Sequence, residues 1–99
     1  MFSVDSAVLK PFAAKYIWWK TADEAVLQPE RVIAQVMELG DFNDVQKLLT
    51  LLGEKVFCEV ITHAEAGLFS PKSWYYWHYR LRLCKPDDVM PQMPKRKIA

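Results

Sequence analysis

Cys58, His63, His78 and Cys84 are the residues of this chain whose types suit nucleophilic or metal chemistry. Cys58 and His63 fall five positions apart in one helical pattern. On a helix of 3.6 residues per turn that spacing turns the side chains about 140° apart. A thiolate–imidazole pair does not form from this segment alone. A metal site needs several converging ligands, and His78 and Cys84 stand in no CxxC or HxxxH context. Structural roles are therefore expected for both cysteines and both histidines. Phosphate chemistry lacks its loop, because Gly40, Gly53 and Gly67 each read as a helix stop rather than as a cradle. Glu54, Glu59 and Glu65 fall on the outer side of their helix and read as solvated. Glu30, Glu38, Asp41 and Asp44 read as helix-end or surface charges, Asp41 and Asp44 near a helix start where negative charge is favourable. No two carboxylates are placed so that burial drives their pKa values apart. These residues predict no catalytic group, no cofactor and no metal.

Binding chemistry has a better claim. The stretch Leu68-Phe-Ser-Pro-Lys-Ser-Trp-Tyr-Tyr-Trp-His-Tyr-Arg-Leu-Arg-Leu83 holds two of the four tryptophans and three of the four tyrosines. Ser70-Pro71 is an N-cap followed by proline at the first helical position. As a helix it buries Trp74, Trp77, His78 and Leu81 on one side. The other side carries Tyr75, Tyr76, Tyr79, Arg80 and Arg82. A helix aromatic on both sides has more to bury than one small core needs. Tyrosine and arginine are enriched at interface hot spots, and they also suit base stacking and phosphate contact. These five residues are the expected partner-binding face. The competing expectation is that an apolar plug at Tyr16-Ile17-Trp18-Trp19 folds over Tyr75 or Tyr76.

Five segments position that face. Residues 1–20 suggest a short helix broken by Pro11, followed by the plug. Thr21 to Glu24 has capping-box spacing and predicts a helical turn. Pro29 to Leu39 sets Val32, Ile33, Val36 and Leu39 on one helical face, with Gly40 just past its end. Asp41 caps a second stripe of Phe42, Val45, Leu48, Leu49 and Leu52, ended by Gly53. Glu54 to Ala66 places Val56, Phe57, Val60, Ile61 and Ala64 together and stops at Gly67. The Ser70 helix runs to about Leu83. The expected fold is all-α, a compact bundle of four to five short helices in one domain over residues 1–85. Residues 86–99 hold three of the six prolines and the Lys95-Arg96-Lys97 run, and predict a flexible tail.

The chain has 99 residues, 52% apolar and 25% charged, with a net charge of +1. That is a globular composition with no overall field to recruit nucleic acid or anionic lipid. Two cysteines make no disulfide framework, and the first residues lack the basic start and apolar run of a signal peptide. A cytoplasmic protein is expected, with no membrane span.

Ile17-Trp18-Trp19, Arg31-Val-Ile-Ala-Gln-Val-Met-Glu-Leu-Gly-Asp41, Asp44-Val-Gln-Lys-Leu-Leu49, Gly53-Glu-Lys-Val56 and Leu68-Phe-Ser-Pro-Lys-Ser-Trp-Tyr-Tyr-Trp77 stand in an order that resembles a small bacterial domain family of unknown function. That family opens with an apolar-Phe-Trp element, carries a helix ending in a Val-Leu-Glu-Tyr-Gly type motif, and closes with a Leu-Ser-Pro-Arg-Thr-Trp-Asn-Phe-Trp type helix. The resemblance covers residues 17–78. Two departures are Lys20 where acidic residues follow the Phe-Trp pair, and Tyr75-Tyr76 in place of Asn-Phe. Genes of the family stand beside nucleotidyltransferase toxins of the abortive-infection type. The resemblance thus implies an antitoxin-like or accessory role and brings no catalytic residues.

The expected function is a non-enzymatic binding module that holds a protein partner, a nucleotidyltransferase toxin by that resemblance, with a second copy of the chain as another occupant. The alternative is a helical DNA-binding regulator, its helix-turn-helix formed by Asp41–Leu52 and Glu54–Ala66 about Gly53. An acidic outer face on the second of these helices weighs against it, since a recognition helix needs basic and amide groups.

Overall fold

A computed structural model describes residues 4–83 and 90–94. The expectations for Cys84, for residues 86–89 and for the Lys95–Lys97 run lie outside the described residues. Among those described there are six helices and no strand: α1 (Ser6–Tyr16), α2 (Ala22–Ala25), α3 (Pro29–Leu39), α4 (Phe42–Leu52), α5 (Glu54–Thr62) and α6 (Pro71–Arg80). The all-α bundle is the fold. α3 is its centre, touching α1, α2, α4 and α5. The Phe57 and Trp77 rings meet edge to face, which joins α6 to α5.

Local chemistry sets most boundaries. Asp5, Thr21, Asp41 and Ser70 each cap a helix by accepting a backbone N–H with the side chain. Pro29 and Pro71 occupy first turns, where a missing N–H costs nothing. Gly53 has φ 87°, a left-handed conformation that suits glycine and turns α4 directly into α5. Gly40 answers a different need. A Cβ there would stand 2.4 Å from the Val36 carbonyl oxygen, so close approach excludes a side chain.

The structure corrects several expectations. α1 runs through Pro11 instead of breaking at it. Proline at this position removes one hydrogen bond, to the carbonyl of Ala7, and Ala7 and Pro11 are both exposed, so the loss falls on the solvent side of the helix. Buried Leu9, Phe12 and Ala13 hold the helix on the core meanwhile. α5 ends at Thr62, not Ala66, because the His63 N–H and its ring Nδ1 both reach the Glu59 carbonyl, at 3.1 and 3.0 Å, and Ala64 tightens onto Ile61. Leu39 and Phe42, expected in the core, are exposed at the ends of their helices, either side of the Gly40–Asp41 turn. The plug is corrected too. Only Ile17 is buried, while Trp18 and Trp19 are 78% and 55% exposed and pack edge to face on each other.

The tail is narrowed as an expectation. Within 90–94, Met90 and Met93 pack against the core and the Pro91 carbonyl accepts the Trp74 indole N–H at 2.7 Å. Prolines bar helix there, but they do not bar an extended segment from lying on an aromatic surface. No helix among the described residues is long and apolar enough to cross a membrane.

Candidate functional site

α6 divides by side as its sequence pattern requires. Trp74, Trp77 and His78 are buried, with Leu81 just beyond the helix. The Trp77 indole N–H donates to the Met37 carbonyl at 3.0 Å, reaching the last turn of α3. His78 stacks on Trp74 with centroids 4.3 Å apart, and its Nδ1, which must carry a proton to do so, donates to the Trp74 carbonyl at 2.8 Å. At the start of α6 the Ser70 N–H is held by the Glu38 carboxylate at 3.2 Å. Glu38 is thus a contact between helices rather than a free surface charge.

The opposite side carries the five residues expected to bind. Tyr75, Tyr76 and Tyr79 are 50%, 53% and 44% exposed, and Arg80 and Arg82 face solvent. Trp18 and Trp19 do not cover them. Trp19 instead lines a small hollow with Ile17, Lys20 and Arg31, against α3. The five are not equivalent. Tyr76 stands edge-on to Trp77 at 5.2 Å. Arg80 is already engaged: its Nη2 donates to Gln46 Oε1 at 2.7 Å and its guanidinium lies 5.8 Å from the Trp77 ring. Arg82 has φ 59° and closes the helix, its N–H donating to the Tyr79 carbonyl at 3.1 Å while the Leu83 N–H reaches His78 at 2.9 Å. This paired closure is the Schellman motif, with arginine where glycine is usual.

The Arg80–Gln46 bond brings α4 beside this face. Phe42 lies one turn before Gln46 on the same side of α4 and is exposed. The sequence pattern placed Phe42 in the core, and the structure exposes it. Its signal was positional: a first-turn residue beside the N-cap is held less firmly to the buried stripe than one in mid-helix. Between Pro71 and Leu83 the cations are Lys72, Arg80 and Arg82, with no carboxylate in that span. Among the described residues, the ion pairs join Lys10 to Asp23, Lys15 to Asp41 and Asp44, and Arg31 to Glu65, leaving these three cations unpaired. The surface is therefore aromatic, basic and rigidly backed.

The other candidates separate. Burial, then the Glu54 charge, pushes the Cys58 thiol above its ordinary value, away from thiolate. The His63 ring nitrogen nearer the backbone is taken by Glu59. A cleft of about 420 Å³ between α3 and α5 gathers Glu30, Glu59, Glu65 and His63 over Val60 and Leu68, with Arg31 paired to Glu65 at 3.2 Å at its edge. No group of three His, Cys, Asp or Glu among the described residues is gathered as metal ligands. The α4–Gly53–α5 pair presents Glu54, Lys55 and Thr62 outward from α5. Comparison with protein-family models, curated proteins and solved structures gives no match to this chain.

Proposed function

We propose that this protein is a non-enzymatic binding module that holds a protein partner on the outer face of α6. One observation carries the reading: Tyr75, Tyr76 and Tyr79 are half exposed beside Arg80 and Arg82, on a helix whose other side is pinned by Trp74, Trp77 and His78. Tyrosine offers large contact area with few rotors, and a pinned helix has lost its freedom before binding. The cations on this helix favour an acidic partner surface. The resemblance in residues 17–78 supplies the first partner to test, a nucleotidyltransferase toxin, with an antitoxin-like role in the cytoplasm.

The test is calorimetric titration of an abortive-infection-type nucleotidyltransferase toxin into wild-type protein and into the Tyr79→Ala, Arg82→Ala double variant. The double variant should lose about 2 kcal/mol of binding, close to 30-fold, with its helical spectrum unchanged. Raising salt should weaken a protein complex modestly. A nucleic-acid partner would lose affinity steeply, about 0.9 log units per log unit of salt for each phosphate neutralised. Wild-type affinity in the double variant would remove this face from the reading.

A further inference from the structure

Residues 90–94 read Met90-Pro-Gln-Met-Pro94. Each proline fixes its own φ near −65° and keeps the preceding residue, Met90 or Met93, out of the helical region. Four of the five residues are thereby biased toward the basin of the polyproline II helix. That helix turns once in three residues and gives its carbonyls no internal partner. Pro91 and Pro94 share one of its faces, Met90 and Met93 a second, and Gln92 stands on the third.

The Pro91 carbonyl accepts the Trp74 indole N–H at 2.7 Å, and Pro94 lines a hollow with Phe69, Trp74 and Gly67. Met90 and Met93 pack against the core, while the Pro91 ring and Gln92 are exposed. The platform is aromatic: the Phe69 and Trp74 rings lie 6.3 Å apart at 59°, His78 backs Trp74, and with residues 90–94 in place Trp74 is only 5% exposed. An aromatic groove with an indole N–H directed at a carbonyl is the chemistry by which proline-rich segments are recognised.

We infer that the Phe69–Trp74 groove is a binding site for extended peptides with Pro-x-x-Pro spacing, occupied here in cis by residues 90–94. It lies on the side of α6 opposite the tyrosine–arginine face, so one helix serves two sites. A ligand on the same chain competes at an effective concentration on the order of mM. The groove therefore admits a second peptide only when the resident one is weakened.

The experiment uses full-length, isotope-labelled protein. Its readout is the Trp74 indole N–H signal in a proton–nitrogen spectrum, assigned by its loss in Trp74→Phe. Wild type is compared with the Pro91→Gly, Pro94→Gly variant. Each is titrated with a synthetic peptide of residues 88–95 and with the same peptide carrying glycine at both prolines. In the variant the signal should move, and exchange with solvent should quicken at least 10-fold. The proline peptide should return it to the wild-type position in a saturable titration. The glycine peptide should not, and wild type should respond to neither at the same concentrations. The inference fails if wild type and variant give the same Trp74 signal, if no peptide restores it, or if both peptides do so alike. Should the double variant not fold, Pro94→Gly alone carries the same titration.

Discussion

Arg82 offers the sharpest test of how this face is built. It is the one non-glycine residue with positive φ among the described residues, at 59°. A side chain in that conformation costs roughly 1–2 kcal/mol, because Cβ crowds the following carbonyl. Glycine removes the crowding and returns about 0.5–1 kcal/mol of the gain through its freer unfolded chain. Arg82→Gly should therefore stabilise the protein by about 0.5–1 kcal/mol. For a chain of this size that raises the melting midpoint by about 2–8 °C. Arg82→Ala keeps the crowding and should melt close to wild type. Both should weaken partner binding to a similar degree, since both delete the guanidinium. Thermal melts followed by circular dichroism, paired with titration of the partner, separate the two effects. A glycine variant melting at or below the alanine variant would refute the strain argument. If it holds, strain is retained where it aims a cation into the binding face.

Deleting residues 90–99 should lower the denaturant midpoint by about 1–2 kcal/mol of stability, since the Trp74 indole loses its acceptor and Met90 and Met93 lose their seat; an unchanged midpoint would show the segment contributes nothing. Trp77→Ala should cost about 3–5 kcal/mol, read by the same measurement, because it removes a fully buried ring packed on Phe57 and the bond to Met37. Asp44 accepts from Lys15 Nζ and from the Tyr16 hydroxyl, which hold its carboxyl below the ordinary 3.8, the lysine bond contributing most. A carboxyl with a lowered folded pKa contributes stability above its unfolded pKa and loses it as pH falls through the folded value. Asp44→Asn should flatten the acid limb of a pH–stability profile, and an unaltered limb would discount the cluster.

The sequence was most legible where one local rule met no competitor. The caps at Thr21, Asp41 and Ser70, the first-turn prolines at 29 and 71, and the buried Val32/Ile33/Val36 and Phe57/Val60/Ile61 sets all follow from spacing alone. The division of α6 into a tryptophan side and a tyrosine–arginine side followed in the same way, but whether the Tyr16–Trp19 segment covers the second side did not. Legibility failed where tertiary context decided between local options. Whether Pro11 breaks a helix depends on which way Ala7 and Pro11 face. Whether Trp18 and Trp19 are core depends on the room that Leu9, Phe12 and Ile17 leave beside α3. Leu39 and Phe42 fit the apolar period but stand at helix ends, where the period constrains little. The seat of residues 90–94 carries no periodic signal, because an extended proline segment is held by a surface formed elsewhere in the chain.

The contacts between α3 and α6 bear on the order in which the chain becomes native. The last turn of α3 leaves the Met37 carbonyl without an intrahelical partner, and its acceptor need is met by an indole 40 residues further along. The N–H of Ser70, the residue that caps α6, is met in turn by Glu38, 32 residues back. Neither helix end is complete without the other. As the chain emerges from the ribosome, α6 comes after the other five helices, so the centre of the bundle waits, hydrated at one end, for its outermost piece. A nascent chain halted before Trp77 is missing the closing contact of its central helix. The segment that carries the proposed partner face is also the one whose arrival certifies that synthesis has passed through the whole bundle.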